Sequence, residues 1–116
     1  MEVKDFGAVI RVHDLNYCRI FYQRLLGLGE PEINSTFLVR FRLSAGATLS
    51  LEKSDAPYLE HASAATALFF TVKDLSEAES FLKSGILAAD PVKIPGCTGD
   101  LLRGEDPEGN VFYIGE

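Results

Sequence analysis

A chain of 116 residues, 47% hydrophobic and 24% charged, has the length and composition of one globular domain, while either half alone would be marginal in size. A net charge of −6 with scattered Lys and Arg disfavours a nucleic-acid partner and suits, weakly, a neutral or cationic one. No apolar run approaches membrane-spanning length and the amino terminus lacks the pattern of a signal peptide, so no membrane partner and a cytoplasmic location are expected.

Residues 6–12, Phe-Gly-Ala-Val-Ile-Arg-Val, are mostly apolar, β-branched and too short for a helix, which predicts a strand. Asp14 then has the side chain of a helix N-cap. Leu15, Cys18, Phe21, Tyr22, Leu25 and Leu26 recur at three- and four-residue spacing and make one apolar face to rest on a sheet. Gly27-Leu28-Gly29 ends that helix and Pro31 follows. Short strands are expected near Glu32–Ser35, at Thr36–Leu43 and, after a Ser44-Ala45-Gly46 turn, at Thr48–Glu52. In the middle one Phe37, Val39, Phe41 and Leu43 form a core face, and Arg40 and Arg42 a solvated one with a ligand or subunit contact as the minority reading.

From residue 53 to 65 the pattern lapses into Ser, Asp, Pro, Ala and Glu, which reads as a linker. A strand at 66–72 then leads to Asp74-Leu75-Ser76-Glu77, a capping-box pattern. Leu75, Ala78, Phe81 and Leu82 form the apolar face of a second helix, which Gly85 ends. Strands fit 91–94, 100–105 and 110–115, the last two joined by an Asp106-Pro107-Glu108-Gly109 turn.

The second half repeats the first. Val12, Asp14, Leu15 and Phe21 return as Val72, Asp74, Leu75 and Phe81, all sixty residues on. The chain therefore reads as an α+β fold of two tandem βαβββ modules, 1–58 and 66–116, within one domain of residues 1–116.

Cys18 and Cys97 lack any Cys-x-x-Cys or Cys-x-x-His spacing, so both read as reduced thiols, Cys18 in the apolar stripe and Cys97 in a Pro-Gly-rich loop. His13 lies at the rim of the first strand and His61 in the linker; an exposed turn histidine is the commoner role, although His13 has a useful range for a general base. No nucleophile with a base at readable spacing and no glycine-rich phosphate loop is present.

The order of these motifs, with Leu26-Gly27-Leu28 after the first helix and Asp106-Pro107-Glu108-Gly109-Asn110 before the last strand, resembles the glyoxalase/bleomycin-resistance family, also called the vicinal oxygen chelate superfamily. The resemblance implies sheets that curve around a cleft, often completed by a second subunit, and hence a homodimer. In enzymes of that family the cleft holds a divalent metal on His, Gln or Glu from the first strand and a later strand of each module. Carried over by position, those places hold Gly7, Ser50, Ala67 and Tyr113, with Glu52 in reach if the alignment slips by two. This argues against a metal cofactor and against the family's usual chemistry.

If Gly7 and Ala67 face the cleft, strand alternation adds Val9, Arg11, Phe69 and Thr71, and Tyr113 adds Val111. Small residues would leave space, aromatic rings would offer stacking surface, and Arg11 could pair with an acidic group on a ligand or with a neighbour such as Glu105. The leading expectation is a metal-independent protein that sequesters or senses a small organic molecule, in the manner of antibiotic resistance. Acidity favours a cationic drug such as bleomycin, and Arg11 an anion. The alternatives are a lyase, isomerase or dioxygenase with a shifted site around Glu52 or His13, and a protein-interaction module.

Overall fold

A computed structural model describes residues 1–55, 66–96 and 98–116. Cys97 lies outside them, as do residues 56–65 of the expected linker, His61 included; Lys53, at the start of that linker, is the last residue of a strand. The chain divides into two compact units, Met1–His61 and Ala62–Glu116.

The first unit runs β1 (Phe6–Val12), α1 (Leu15–Ile20) with a π-helical turn (Phe21–Leu25), β2 (Ile33–Asn34), β3 (Leu38–Ser44) and β4 (Ala47–Lys53). Its sheet has the order β1-β4-β3-β2, with β1 parallel to β4 and the other pairs antiparallel. The second unit runs β5 (Leu68–Thr71), α2 (Leu75–Ser84), β6 (Asp90–Val92), β7 (Leu101–Glu105) and β8 (Val111–Gly115). Its order, β5-β8-β7-β6, and its strand directions repeat those of the first. Two βαβββ modules with mixed four-stranded sheets are what the internal repeat predicts.

Local chemistry explains the matching helix starts. The Asp14 carboxylate accepts from the Tyr17 amide at 3.0 Å, and the Asp74 carboxylate accepts from the Glu77 amide at 3.0 Å. Each satisfies an amide that the first helical turn leaves without a partner. In the first module Leu15, Cys18, Phe21 and Tyr22 are buried, and α1 packs on β3 and β4 over Val39, Phe41, Leu49 and Leu51, all buried. Burying each such Leu or Phe contributes about 1.5–3 kcal/mol relative to leaving it in water.

The chain after α1 is not the plain helix that the spacing predicts. The Leu26 amide reaches back five residues to the Phe21 carbonyl, 2.9 Å, which widens the turn. Consecutive Phe21 and Tyr22 are then both buried, their rings edge to face at 5.1 Å.

Other departures have physical causes. β3 starts only at Leu38, so Phe37 lies outside the sheet and is exposed, as is Leu43 near the far end; only Val39 and Phe41 of the expected core face are buried. In α2 the inward stripe runs through half-buried Leu75 and Ala78 and buried Leu82 at i, i+3 and i+7, which leaves Phe81 a residue out of phase and 50% exposed. The repeat partner of buried Phe21 is therefore not a core residue. β5 starts at Leu68, so Ala67 precedes the strand expected from residue 66. No helix among the described residues is long and apolar enough to cross a membrane.

Candidate functional site

Each sheet has one face given to its helix and one opposite face, and the strand registers define what the opposite face carries. In the first module Gly7 pairs with Thr48, Val9 with Ser50 and Arg11 with Glu52 along β1 and β4, while β3 places Arg42, Arg40 and Leu38 beside the same three β4 residues. Residues directly opposite in a ladder point to one side. Gly7, Val9, Arg11, Ser50 and Glu52 therefore share a face, and Arg40 and Arg42 share it with them.

The polar groups of that face are engaged with one another. Arg40 Nε donates to Ser50 Oγ at 3.0 Å, with Ser50 2% exposed. Arg11 Nε lies 3.4 Å from Glu52 Oε1, so Glu52 is an acid beside Arg11 within the same module. Arg42 reaches Glu32 at 3.1 Å and Asp5 at 3.5 Å. Both of these ion pairs are half-exposed and so contribute little to stability. At Gly7 the space expected from a missing side chain is taken: a Cβ there would overlap the Thr48 hydroxyl.

In the second module the corresponding face carries Phe69 and Thr71 on β5, Val111, Tyr113 and Gly115 on β8, and Arg103 and Glu105 on β7. Phe69 pairs with Tyr113 and Tyr113 with Arg103, giving a row of three across neighbouring strands. The Phe69 and Tyr113 rings stack 6.4 Å apart at 28°, and Phe69 remains 51% exposed. Gly115 makes room for this arrangement, since a Cβ would stand 2.7 Å from Leu101 Cδ2 and 3.0 Å from Phe69 Cζ.

The four places that the resemblance assigns to metal ligands do not fit a divalent cation. Gly7 and Ala67 offer no donor atom. The Ser50 hydroxyl accepts from a guanidinium, a cation where a second cation would have to stand. Tyr113 is a phenol committed to a ring stack. Glu52, the shifted alternative, already faces Arg11. Divalent transition metals want imidazole, thiolate or carboxylate, and no group of three or more His, Cys, Asp or Glu able to hold a metal occurs among the described residues.

Apart from these faces, the first module has an open groove of about 710 Å³ beside the start of α1, bordered by His13, Asn16, Arg19, Asn34, Thr36 and Lys53. None of the expected ligand-binding residues borders it. His13, the possible general base, is exposed at its edge.

The repeat could have pointed to one feature that the sequence reading passed over. The last strands of the modules are offset by 63 residues rather than sixty, because the connection between β6 and β7, residues 93–100, is longer than that between β2 and β3, residues 35–37; Ser50 then matches Tyr113, and Arg40 matches Arg103. Both arginines stand at the centre of a face, directly opposite the later-strand position.

No protein-family model and no curated protein sequence matches the chain. Solved structures do. A glyoxalase/bleomycin resistance protein from Catenulispora acidiphila superposes with a TM-score of 0.73 at 22% identity, over 95% of each chain. An integron cassette protein from the mobile metagenome of the Halifax Harbour sewage outfall superposes at 0.75 with 18% identity, also over 95% of each. A lactoylglutathione lyase from Agrobacterium tumefaciens gives 0.69 at 19% identity, over 94% of this chain and 90% of that one. Twice-repeated βαβββ topology and end-to-end superposition agree: this chain has the glyoxalase/bleomycin-resistance fold.

Proposed function

We propose that the chain is a metal-independent binding protein for a small organic molecule, built on the glyoxalase/bleomycin-resistance fold. The hydrogen bond from Arg40 to Ser50 carries this reading. It sets a fixed positive charge at a place where the metalloenzymes implied by the resemblance need a metal donor, and repulsion between the two cations opposes metal capture. Binding needs only shape, apolar surface and a few polar anchors. Ser50, Glu52, Arg11, Gly7 and Val9 in one module and Phe69, Thr71, Val111 and Tyr113 in the other, with Ala67 at the head of β5, offer those elements. A homodimer in the cytoplasm is the setting we propose.

Two measurements on the purified protein test the reading together. Elemental analysis should find no stoichiometric Ni, Zn, Mn or Fe, and none of these ions should raise the melting temperature. A thermal-shift screen against neutral, cationic and anionic aromatic compounds should find at least one that stabilises the fold. Stoichiometric metal, or a panel in which no compound stabilises, would overturn it.

A further inference from the structure

The two strand-centre arginines are unlike the others of their faces. Arg11 and Arg42 each have a carboxylate within 4 Å. Arg40 and Arg103 are both half-buried, and neither has one among the described residues: Arg40 bonds only to the neutral Ser50 hydroxyl, and Arg103 has no hydrogen-bond or ion-pair partner there. This occurs in a protein with 17 acidic residues against 11 basic ones, where acids are in surplus. Asp90 even stands opposite Arg103 in the β6–β7 register without forming an ion pair with it.

A half-buried guanidinium without an acid retains most of its five donors and a charge that the fold has not neutralised. Keeping two of them at matching places in both modules is costly unless something outside the fold supplies the negative charge. In the second module the surroundings narrow the class. Arg103 stands in a row between Asp90 and Tyr113, with the half-exposed ring of Phe69 beyond Tyr113. Adjacent side chains in such a row stand about 5 Å apart, so the cation and the ring surface are within the span of one small molecule.

Resting on the binding reading above, we infer that the ligand is a planar aromatic anion, a carboxylate or a phosphate ester, whose acidic group pairs with Arg103 while its ring lies on Phe69 and Tyr113. Arg40, with Ser50 beside it, is the matching anion anchor of the first module, with an aliphatic neighbour, Val9, in place of the rings. Arginine suits this role because its planar fork meets two oxygens of a carboxylate or phosphate at once. The net negative charge of the protein does not oppose it, since screening at physiological ionic strength confines the field of distant acids to about 8 Å.

Titration calorimetry with benzoate, phenyl phosphate and the uncharged isostere benzamide tests the assignment, alongside arginine Nε–H resonances of ¹⁵N-labelled protein. Saturable binding of benzoate or phenyl phosphate is expected, with benzamide at least tenfold weaker and the Arg103 Nε resonance shifted on binding. Which anion binds more tightly separates a carboxylate from a phosphate ligand. Arg103→Gln should lose tenfold or more in affinity, Arg103→Lys should lose less because the charge stays, and Asp90→Asn should bind more tightly. Each variant's melting temperature, measured without ligand, separates lost affinity from lost folding. Benzamide binding as tightly as benzoate, or affinity indifferent to both Arg103 substitutions, would overturn the inference. So would stabilisation in the wider screen by neutral or cationic compounds alone, which leaves the binding reading intact; a screen without any stabilising compound removes both.

Discussion

Ser50 is buried and receives the Nε proton of Arg40 across 3.0 Å between neighbouring strands β4 and β3. The bond holds a half-buried guanidinium in place on the polar face, and it is charge-assisted. Ser50→Ala removes the acceptor and should cost about 1.5–3 kcal/mol, the range for hydrogen bonds to charged groups. Arg40→Gln removes the charge as well. The two changes share one interaction, so the double variant should be less destabilised than the sum of the singles by 0.5 kcal/mol or more. Urea denaturation of the four proteins measures this, and strict additivity would mean that the bond contributes nothing to the folded state.

Gly104 and Phe112 face each other across β7 and β8, and the aromatic ring fills the place of the missing side chain. A Cβ at residue 104 would stand 2.9 Å from both ring Cε atoms of a side chain that is fully buried. Gly104→Ala should therefore destabilise the protein by about 1–3 kcal/mol, the usual cost of overpacking. Phe112→Leu alone leaves a cavity and should also destabilise, yet combined with Gly104→Ala it should recover part of the loss. Thermal unfolding of the single and double variants gives the comparison; a harmless Gly104→Ala would mean that the ring moves aside freely.

How much of this was legible in the sequence depends on how local the cause was. The capping aspartates Asp14 and Asp74 act on amides three residues away, and the repeat announced them twice. The strands of the sheets followed from apolar runs bounded by turn residues. Phe81 was misread because helical spacing fits two overlapping stripes, one through Phe81 and one through Leu82, and only packing chooses between them. The site was harder. Resemblance assigns Ser50 and Tyr113, but pairing across strands joins residues ten or more apart in the chain, as in Arg40 with Ser50 and Tyr113 with Arg103. Arg11 shows the same limit: its acid is Glu52, far along the chain but adjacent in register.

The Asp106 carboxylate organises the last hairpin. It accepts from the Glu108 and Asn110 amides at 2.9 Å and from the Asn110 side-chain amide at 2.8 Å, and Asp106 is 5% exposed. Gly109, at φ +84°, closes the turn that the Asp-Pro-Glu-Gly sequence predicts. Asp106→Ala leaves sheltered amides without an acceptor and should cost about 2–3 kcal/mol. Asp106→Asn keeps one oxygen and should cost less, since it can still accept from the two backbone amides. Equilibrium urea curves should rank the three proteins in that order, and equal stability of wild type and Asp106→Ala would show that the turn holds without the carboxylate.

Ile86 ends α2 in a conformation that isoleucine disfavours. Its φ is +60°, and the Leu87 amide returns to the Leu82 carbonyl at 2.9 Å while its own amide returns to Lys83 at 3.1 Å, the paired bonds of a Schellman ending. That ending wants glycine at the left-handed position, but the glycine of this chain, Gly85, sits one residue earlier with φ −89°, where any residue is at ease. The strain has no compensation in burial, because Ile86 is 94% exposed. A left-handed residue with a β-carbon costs roughly 1–2 kcal/mol, against about 0.5–1 kcal/mol for the extra flexibility that glycine gives the unfolded chain. Ile86→Gly should consequently stabilise the protein by about 0.5–1 kcal/mol, and Ile86→Asn, which tolerates the same backbone, should do so by a similar amount. Gly85→Ala, at an ordinary φ, should be neutral or stabilising by up to about 1 kcal/mol. Exchanging the two, with alanine at 85 and glycine at 86, should raise the melting temperature above either single change. A fall in melting temperature for Ile86→Gly would mean that the isoleucine side chain contributes a contact that its exposure does not reveal.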